Sequence, residues 1–241
     1  DFPILIKFID AKQSLSVQVH PDDKYALLHE GESGKTEMWY VMDATPDATL
    51  IYGFTHEISH QEFERRIKDN TLLEVCNQVP IKKGDVFFIE AGTLHAIGAG
   101  ALIAEIQQSS NSTYRVYDYG RVGKDGKLRE LHIEKALAVT KLEPPTRKPE
   151  PIAKLTAFAD YDLTILAQCE LFNVSHFDLH GNCSLNAKKD SFHSILVLDG
   201  QIALTYGNDS FTITKGESVF IPADMGEYIL NGTGEFILTT L

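Results

Sequence analysis

Cysteine is scarce in this 241-residue chain: Cys76, Cys169 and Cys183 stand far apart and form no CxxC pair. An odd, unpatterned set argues against a disulfide framework and fits a reduced intracellular protein, so the cytoplasm is the expected compartment. Long hydrophobic runs are also missing. The longest apolar stretch near the start, Phe2 to Ile9, is interrupted by Pro3 and Lys7. It is far short of a membrane span and lacks a signal-peptide layout. No dense Lys/Arg run occurs, and 34 Asp plus Glu outweigh 22 Lys plus Arg, for a net charge of −12. A broad nucleic-acid footprint is therefore not expected. The acidity also means that an anionic ligand needs a local cationic site, because the overall field repels it. No initiator Met precedes Asp1, which suggests trimming or a longer parent chain.

What the chain does have is a 43% hydrophobic composition, ordinary for a globular core, distributed over short strand-like segments. Ser14 to His20, Glu37 to Met42, Thr49 to Phe54, Thr71 to Gln78, Asp85 to Glu90 and Leu102 to Gln107 are mostly β-branched or aromatic, with Gly, Pro and Asp at many boundaries. Two stretches read as helix: His60 to Lys68, with Phe63 and Ile67 at i, i+4 and Ser59 as N-cap, and Glu130 to Val139. Pro144, Pro145, Pro149 and Pro151 exclude regular helix or central strand. This predicts a first domain over 1–143, a linker over 144–151 and a second domain over 152–241. Strands resume beyond the linker at Leu163 to Ala167, Phe172 to Phe177, Ser194 to Leu198, Gln201 to Tyr206, Ser210 to Ile213, Glu217 to Ile221 and Glu235 to Thr239. So many closely spaced short strands imply a mainly β protein of antiparallel sandwiches or barrels.

A weak repeat links the halves. Lys83-Gly84-Asp85-Val86-Phe87-Phe88-Ile89-Glu90-Ala91-Gly92 can be laid over Lys215-Gly216-Glu217-Ser218-Val219-Phe220-Ile221-Pro222-Ala223-Asp224, and Glu37 to Asp43 over His193 to Asp199. Duplication explains this; so does the recurrence of turn residues between unrelated hairpins.

In Ser16-Val17-Gln18-Val19-His20, period-2 geometry points Gln18 and His20 to one face and Val17 and Val19 to the other. Glu37 begins another strand, and His95 follows the turn Ala91-Gly92-Thr93-Leu94. Two imidazoles, a carboxylate and an amide oxygen would make an N2O2 shell suited to zinc, with a position left for water or a substrate oxygen. Each residue alone reads as surface or hydrogen-bonded core. Together with the Gly-Asp-strand-turn-His unit, they resemble the two motifs of the cupin fold. The C-terminal unit offers Met225, Gly226 and Glu227 at the place of His95, and no Gln-x-His precedes His193. The expectation is two cupin-type β-barrels (jelly rolls) with a few short helices, and one metal.

Longer runs carry a more specific resemblance. Ser16 to Asp23, Gly34 to Tyr40, Ala91 to Ala96, Gln107 to Arg121 and Arg129 to His132 resemble, in order, the type I phosphomannose isomerases, particularly the short bacterial form. The C-terminal half matches more loosely, as a second cupin. The resemblance implies one zinc per chain on Gln18, His20, Glu37 and His95, a catalytic arginine at Arg115, and a lysine beside the glutamate ligand, Lys35. It implies interconversion of mannose 6-phosphate and fructose 6-phosphate. Family members also carry a stretch with a Trp-Gly segment before the position of Asp1.

Such a reaction moves a proton between C1 and C2 through an enediol, so charge stabilisation belongs at the enediolate oxygens. Arg115 would stabilise them or place the substrate. Lys35 reads either as a sugar-contacting or proton-shuttling group or as a surface turn lysine. Arg121 and Lys127 are phosphate candidates or solvated loop residues. The general base is not assigned; Glu105 qualifies only by its strand, and reads also as an outward-facing carboxylate. The expected partner is a sugar phosphate, with no nucleic acid or membrane, in a monomer or homodimer. Two rivals stand beside this reading: a non-catalytic, metal-dependent sugar-phosphate-binding cupin, and an iron-dependent cupin oxygenase. Gln18 and the Arg115 run count against the second.

Overall fold

A computed structural model describes residues 2–241 of the chain. It divides into two compact units, the first ending at Pro149 and the second spanning Glu150–Leu241.

Strands of the first unit are β1 (Ile4–Asp10), β2 (Val17–Val19), β3 (Glu37–Ala44), β4 (Thr49–Phe54), β5 (Cys76–Pro80), β6 (Val86–Ile89), β7 (His95–Ile97), β8 (Ala101–Gln108) and β9 (Tyr114–Tyr117). They form two antiparallel sheets, one ordered β1-β8-β3-β6 and the other β5-β4-β7-β2-β9. Alternation along the strands separates two cores. Trp39, Val41, Phe87, Ile89 and Ile103 of the four-stranded sheet pack with Leu50, Tyr52 and Ile97 of the five-stranded one, filling the space between the sheets. The opposite face of the five-stranded sheet, with Val17, Val19, Leu94, Ala96, Tyr114 and Val116, is covered by helices α2 (His60–Lys68) and α3 (Ile133–Val139) through Phe63, Ile67 and Ala136. Full burial of Phe63 and Ile67 contributes about 1.5–3 kcal/mol each. Ser59 caps α2, its hydroxyl accepting from Glu62 N–H at 3.1 Å. Because these neighbours face the helices, Gln18, His95 and Arg115 face the other way, into the barrel.

Several elements differ from the sequence expectation. Residues 72–74 form a 3-10 turn ahead of β5 rather than strand. A short helix, α1 (Asp23–His29), follows β2; Asp22 caps it through Tyr25 N–H at 2.8 Å, and Ala26 is its one buried residue. Residues 144–149 belong to the first unit: Arg147 lies over the Phe88 ring at 4.0 Å and pairs with Glu90 at 3.2 Å. Gly53, at φ +69, leaves room for Pro145, whose Cδ would lie 2.6 Å from a Cβ there. A proline-rich segment without regular hydrogen bonding can still pack on a barrel: Pro145 is half-buried against Gly53, while Pro144 is exposed.

The second unit holds β10 (Thr156–Ala157), β11 (Tyr161–Gln168), β12 (Asn173–Leu179), β13 (Asn182–Ala187), β14 (His193–Tyr206), β15 (Asp209–Thr214), β16 (Ser218–Ile221) and β17 (Gly226–Thr240). The main path is β10-β11-β12-β17-β14-β15, with β13 on β17 and β16 on β14. The two strands expected over 194–206 are one 14-residue strand with an irregularity between Val197 and Asp199. Its core is apolar, including Ile195, Val197, Leu230 and Phe236.

The repeat seen in the sequence is present in the backbone. Gly84 N–H donates to Val41 O, and Gly216 N–H to Val197 O, each at 2.9 Å; both glycines have positive φ (93° and 86°). Val41 N–H donates to Asp85 O and Val197 N–H to Glu217 O. Glu37 pairs with Ile89 and His193 with Ile221.

Candidate metal centre

Strand register assembles the site inside the first barrel. Gln18 of β2 stands opposite His95 of β7 on one side and Arg115 of β9 on the other. In the facing sheet, Glu37 of β3 stands opposite Gln107 of β8, and Trp39 opposite Glu105. Lys7 of β1 stands opposite Glu105 in turn. Cross-strand partners share a face, so both rows point inward.

His20, just past the end of β2, Glu37 and His95 are each at most 1% exposed, and ligand atoms of the three lie within 4.8 Å of one another. Among the described residues this is the group of three or more such side chains that could hold a metal ion. His20 Nε2 is 3.2 Å from Glu37 Oε1, and His95 Nε2 is 3.9 Å from Glu37 Oε2. Gln18 Nε2 is 3.4 Å from His95 Nε2. Lys35, also buried, brings its Nζ to 3.0 Å from Glu37 Oε1.

Protonation follows from the backbone. His20 Nδ1 lies 2.9 Å from Ser112 O and His95 Nδ1 2.8 Å from Thr93 O. A carbonyl can only accept, so each Nδ1 carries the proton and each Nε2 turns a lone pair into the site. The consequence is visible as a defect: His20 Nε2 is buried with no donor, its lone pair turned toward Glu37 Oε1, which only Lys35 Nζ approaches as a donor. Burial holds the His95 imidazole down to about 3 and lowers His20 as well, so both are neutral. Burial opposes ionisation of Glu37; His20 and His95, when they carry a second proton, and the Lys35 ammonium outweigh it and hold the carboxyl below the usual carboxylate range. Two neutral imidazoles, a carboxylate and a carboxamide, with two acceptor atoms left facing each other, form a set that fits a divalent cation.

Around this set lies a second group. Glu105, 4% exposed, accepts from Lys7 Nζ at 2.7 Å through Oε1 and from Trp39 Nε1 at 3.1 Å through Oε2. Lys7 also donates to Gln107 Oε1. Burial, then the charge of Glu37, raise the Glu105 pKa, partly offset by Lys7. Lys7 carries no motif of its own, and the run Gly34 to Tyr40 gives Trp39 no role at the site; only the pairing of β1, β8 and β3 brings the two here.

Arg115 donates its backbone N–H to His132 Nδ1 at 3.2 Å and Nη1 to Glu130 O at 2.9 Å, and its Nε is buried without a partner. Arg121 is committed to the buried carboxylate of Asp118 and, through Nη1, to Ser14 O at 2.9 Å. Asp118 also pairs with Arg129 at 3.3 Å. Lys127 is exposed in the turn between Val122 and Leu128, which bridge one another. The structure therefore brings Gln18, His20, Lys35, Glu37 and His95 together, with Arg115 abreast of Gln18, and places Arg121 and Lys127 on the loop beyond β9.

Fold and site define a β-barrel protein with a buried nitrogen and oxygen site that could hold a metal ion. The family model for the mannose-6-phosphate isomerase cupin domain matches residues 162–241. A mannose-6-phosphate isomerase of Bacillus subtilis is 40% identical over 241 residues, spanning 100% of this chain and 75% of that protein. One from Streptococcus mutans is 38% identical, spanning 98% and 73%. The crystal structure of mannose 6-phosphate isomerase from Bacillus subtilis superposes with a TM-score of 0.92 at 35% identity, covering 100% of this chain and 76% of that one. The chain belongs to the mannose-6-phosphate isomerase family, and its two barrels are cupins. No helix among the described residues is long and apolar enough to cross a membrane.

Proposed function

We propose that this chain interconverts mannose 6-phosphate and fructose 6-phosphate through an enediol or enediolate, with one zinc ion held by Gln18, His20, Glu37 and His95, in the cytoplasm. One observation carries the reading. In a chain of this family, His20 Nε2 faces Glu37 Oε1 at 3.2 Å, both buried; Lys35 Nζ reaches the carboxylate oxygen at 3.0 Å, but no donor reaches the imidazole nitrogen. Two such acceptors oppose one another unless a cation satisfies both. Gln18 turns its amide nitrogen toward His95, and a half-turn of the amide exchanges nitrogen for the oxygen a metal needs.

Bound zinc supplies Lewis-acid polarisation of the sugar oxygens and stabilises the negative charge that develops on them. The rest falls to the protein. Glu105 is the proposed base: a buried carboxylate with a raised pKa binds a proton more readily, so it takes one from C2 of the aldose and returns it to C1. Lys7 holds Glu105 in place through Oε1. Arg115, always charged, stabilises the enediolate oxygens. Lys35 contacts the sugar hydroxyls or carries the proton between O1 and O2. The phosphate is assigned to the cations beyond β9. Lys127 is directly available to it, whereas Arg121 shares its charge with Asp118.

The test is a coupled assay on mannose 6-phosphate with metal content measured alongside. One zinc per chain and turnover that is lost on chelation and restored by zinc are expected. Full activity in metal-free protein would sink the reading, and binding of the sugar phosphate without turnover would replace it with a non-catalytic cupin.

A further inference from the structure

Trp39 is the sole tryptophan of the chain and is 1% exposed. Its position in β3 puts it two residues from Glu37, on the same face, and directly opposite Glu105. The indole Nε1–H lies 3.0 Å from Glu37 Oε2 and 3.1 Å from Glu105 Oε2, so a single proton is shared between two buried carboxylates. The ring edge meets His95 at a centroid distance of 5.3 Å and 79°. Few side chains can serve here. Indole is a donor with no acceptor atom, so it cannot ligate a metal, and it stays neutral beside two negative groups. A lysine would add a charge, and a histidine would add a competing ligand.

We propose that Trp39 is a positioning residue: its N–H fixes Oε2 of Glu37, leaving Oε1 toward His20 and Lys35, and by the same proton fixes Glu105 at a set distance from the metal carboxylate. The inference rests on the reading of Glu37 as ligand and Glu105 as base. The carboxylate that binds the metal and the carboxylate that moves the proton are then aligned by one hydrogen-bond donor. Groups that hold metal ligands in this way change affinity or activity by about 10–100-fold when removed.

In the 241-residue chain Trp39 is the sole tryptophan, so growth of that chain on an analogue replaces this side chain alone. Benzothienylalanine keeps the bicyclic shape and has sulfur in place of N–H; 5-fluorotryptophan keeps the N–H. Zinc affinity, measured by competition with a chromogenic chelator in the absence of sugar, is expected to weaken about tenfold with benzothienylalanine and to stay within twofold of the native value with 5-fluorotryptophan. Trp39→Phe should follow the benzothienylalanine protein, and in both kcat should fall while KM changes little. Native zinc affinity in a folded benzothienylalanine protein overturns the proposal. Equal weakening by the two analogues also overturns it, since the ring and not its proton would then matter. The affinity readout needs no turnover, so a chain that binds zinc but does not isomerise would disprove the isomerase reading and leave this test standing.

Discussion

Val41 and Val197 occupy the same place in the two barrels, each accepting from a positive-φ glycine and donating to the acidic residue that follows it. Four residues earlier the barrels part: Glu37 in the first, His193 in the second. Two residues earlier stand Trp39, with a donor aimed at two carboxylates, and Ile195, with none. The buried polar and charged side chains of the first unit include His20, Lys35, Glu37, His95, Glu105, Gln107 and Asp118, whereas Thr239 is the one found in the second among the described residues. Burying such groups is costly unless they are paired or bind a cation. The first barrel keeps that cost where chemistry requires it; the second spends its interior on packing. His193 illustrates the change: its Nδ1 meets Tyr228 Oη at 2.7 Å, so the imidazole is satisfied by a neighbour and not by an ion.

The largest expected effect comes from erasing this difference on one side only. Glu37→Ala or His95→Ala should take zinc from one per chain to none and lower turnover by about a thousandfold, several kcal/mol of lost charge stabilisation. His193→Ala should leave the zinc content at one. Metal analysis after dialysis distinguishes them, and a lost zinc in the His193 variant would break the comparison. Next in size is Arg115→Ala, expected to lower kcat by about a hundredfold at full zinc occupancy, in line with removal of one donor to a developing oxyanion. Unchanged kcat at normal occupancy would remove Arg115 from the mechanism.

How far the sequence reaches depends on whether a feature is local. Helix α2 is legible because Phe63 and Ile67 recur at helical spacing after Ser59; α1 is not, since Ala26 alone is buried and no periodicity marks it. Strands β7 and β9 are three and four residues long, too short for a pattern to emerge. In the site, Gln18 and His20 are legible from alternation within one strand, and Glu37 and His95 from the turn and strand units that carry them. Lys7 and Trp39 are not, because their contact with Glu105 depends on the register of three strands distant in sequence. The tautomers of His20 and His95 are less legible still, being set by backbone carbonyls of Ser112 and Thr93 that no side-chain letter encodes.

Acid should sharpen the contrast in the metal-free protein. Burial lowers His20, and lowers His95 from 6.5 to about 3, so between those values the unfolded chain binds more protons than the folded one. Stability is then full above about pH 6.5 and falls as pH drops, with a slope of about 1.4 kcal/mol per pH unit for each such histidine. Glu37, held below the usual carboxylate range, adds to the loss below about pH 4.5 in the same direction. The second unit has one buried-side histidine lowered in this way, His193. Hydrogen exchange at descending pH should therefore show β2, β3 and β7 losing protection before β14 and β17. The order should disappear when zinc is added, because a bound cation holds the imidazoles deprotonated. Simultaneous loss in both units would mean that the site histidines do not govern acid stability.

The smallest effect is expected where the second barrel has replaced chemistry with packing. Tyr228 is 1% exposed and its hydroxyl meets His193 Nδ1; burial pushes the phenol pKa up, so it remains a neutral donor. Tyr228→Phe keeps the ring and deletes that hydroxyl, leaving His193 Nδ1 without its partner. The cost should be about 1 kcal/mol, the net worth of one hydrogen bond, read as a small fall in the denaturation midpoint with an unchanged m value. Zinc content and kcat should stay at their native values. A drop in kcat beyond the loss of folded protein would show that the second barrel's interior reaches the reaction, and would end its description as a packing module.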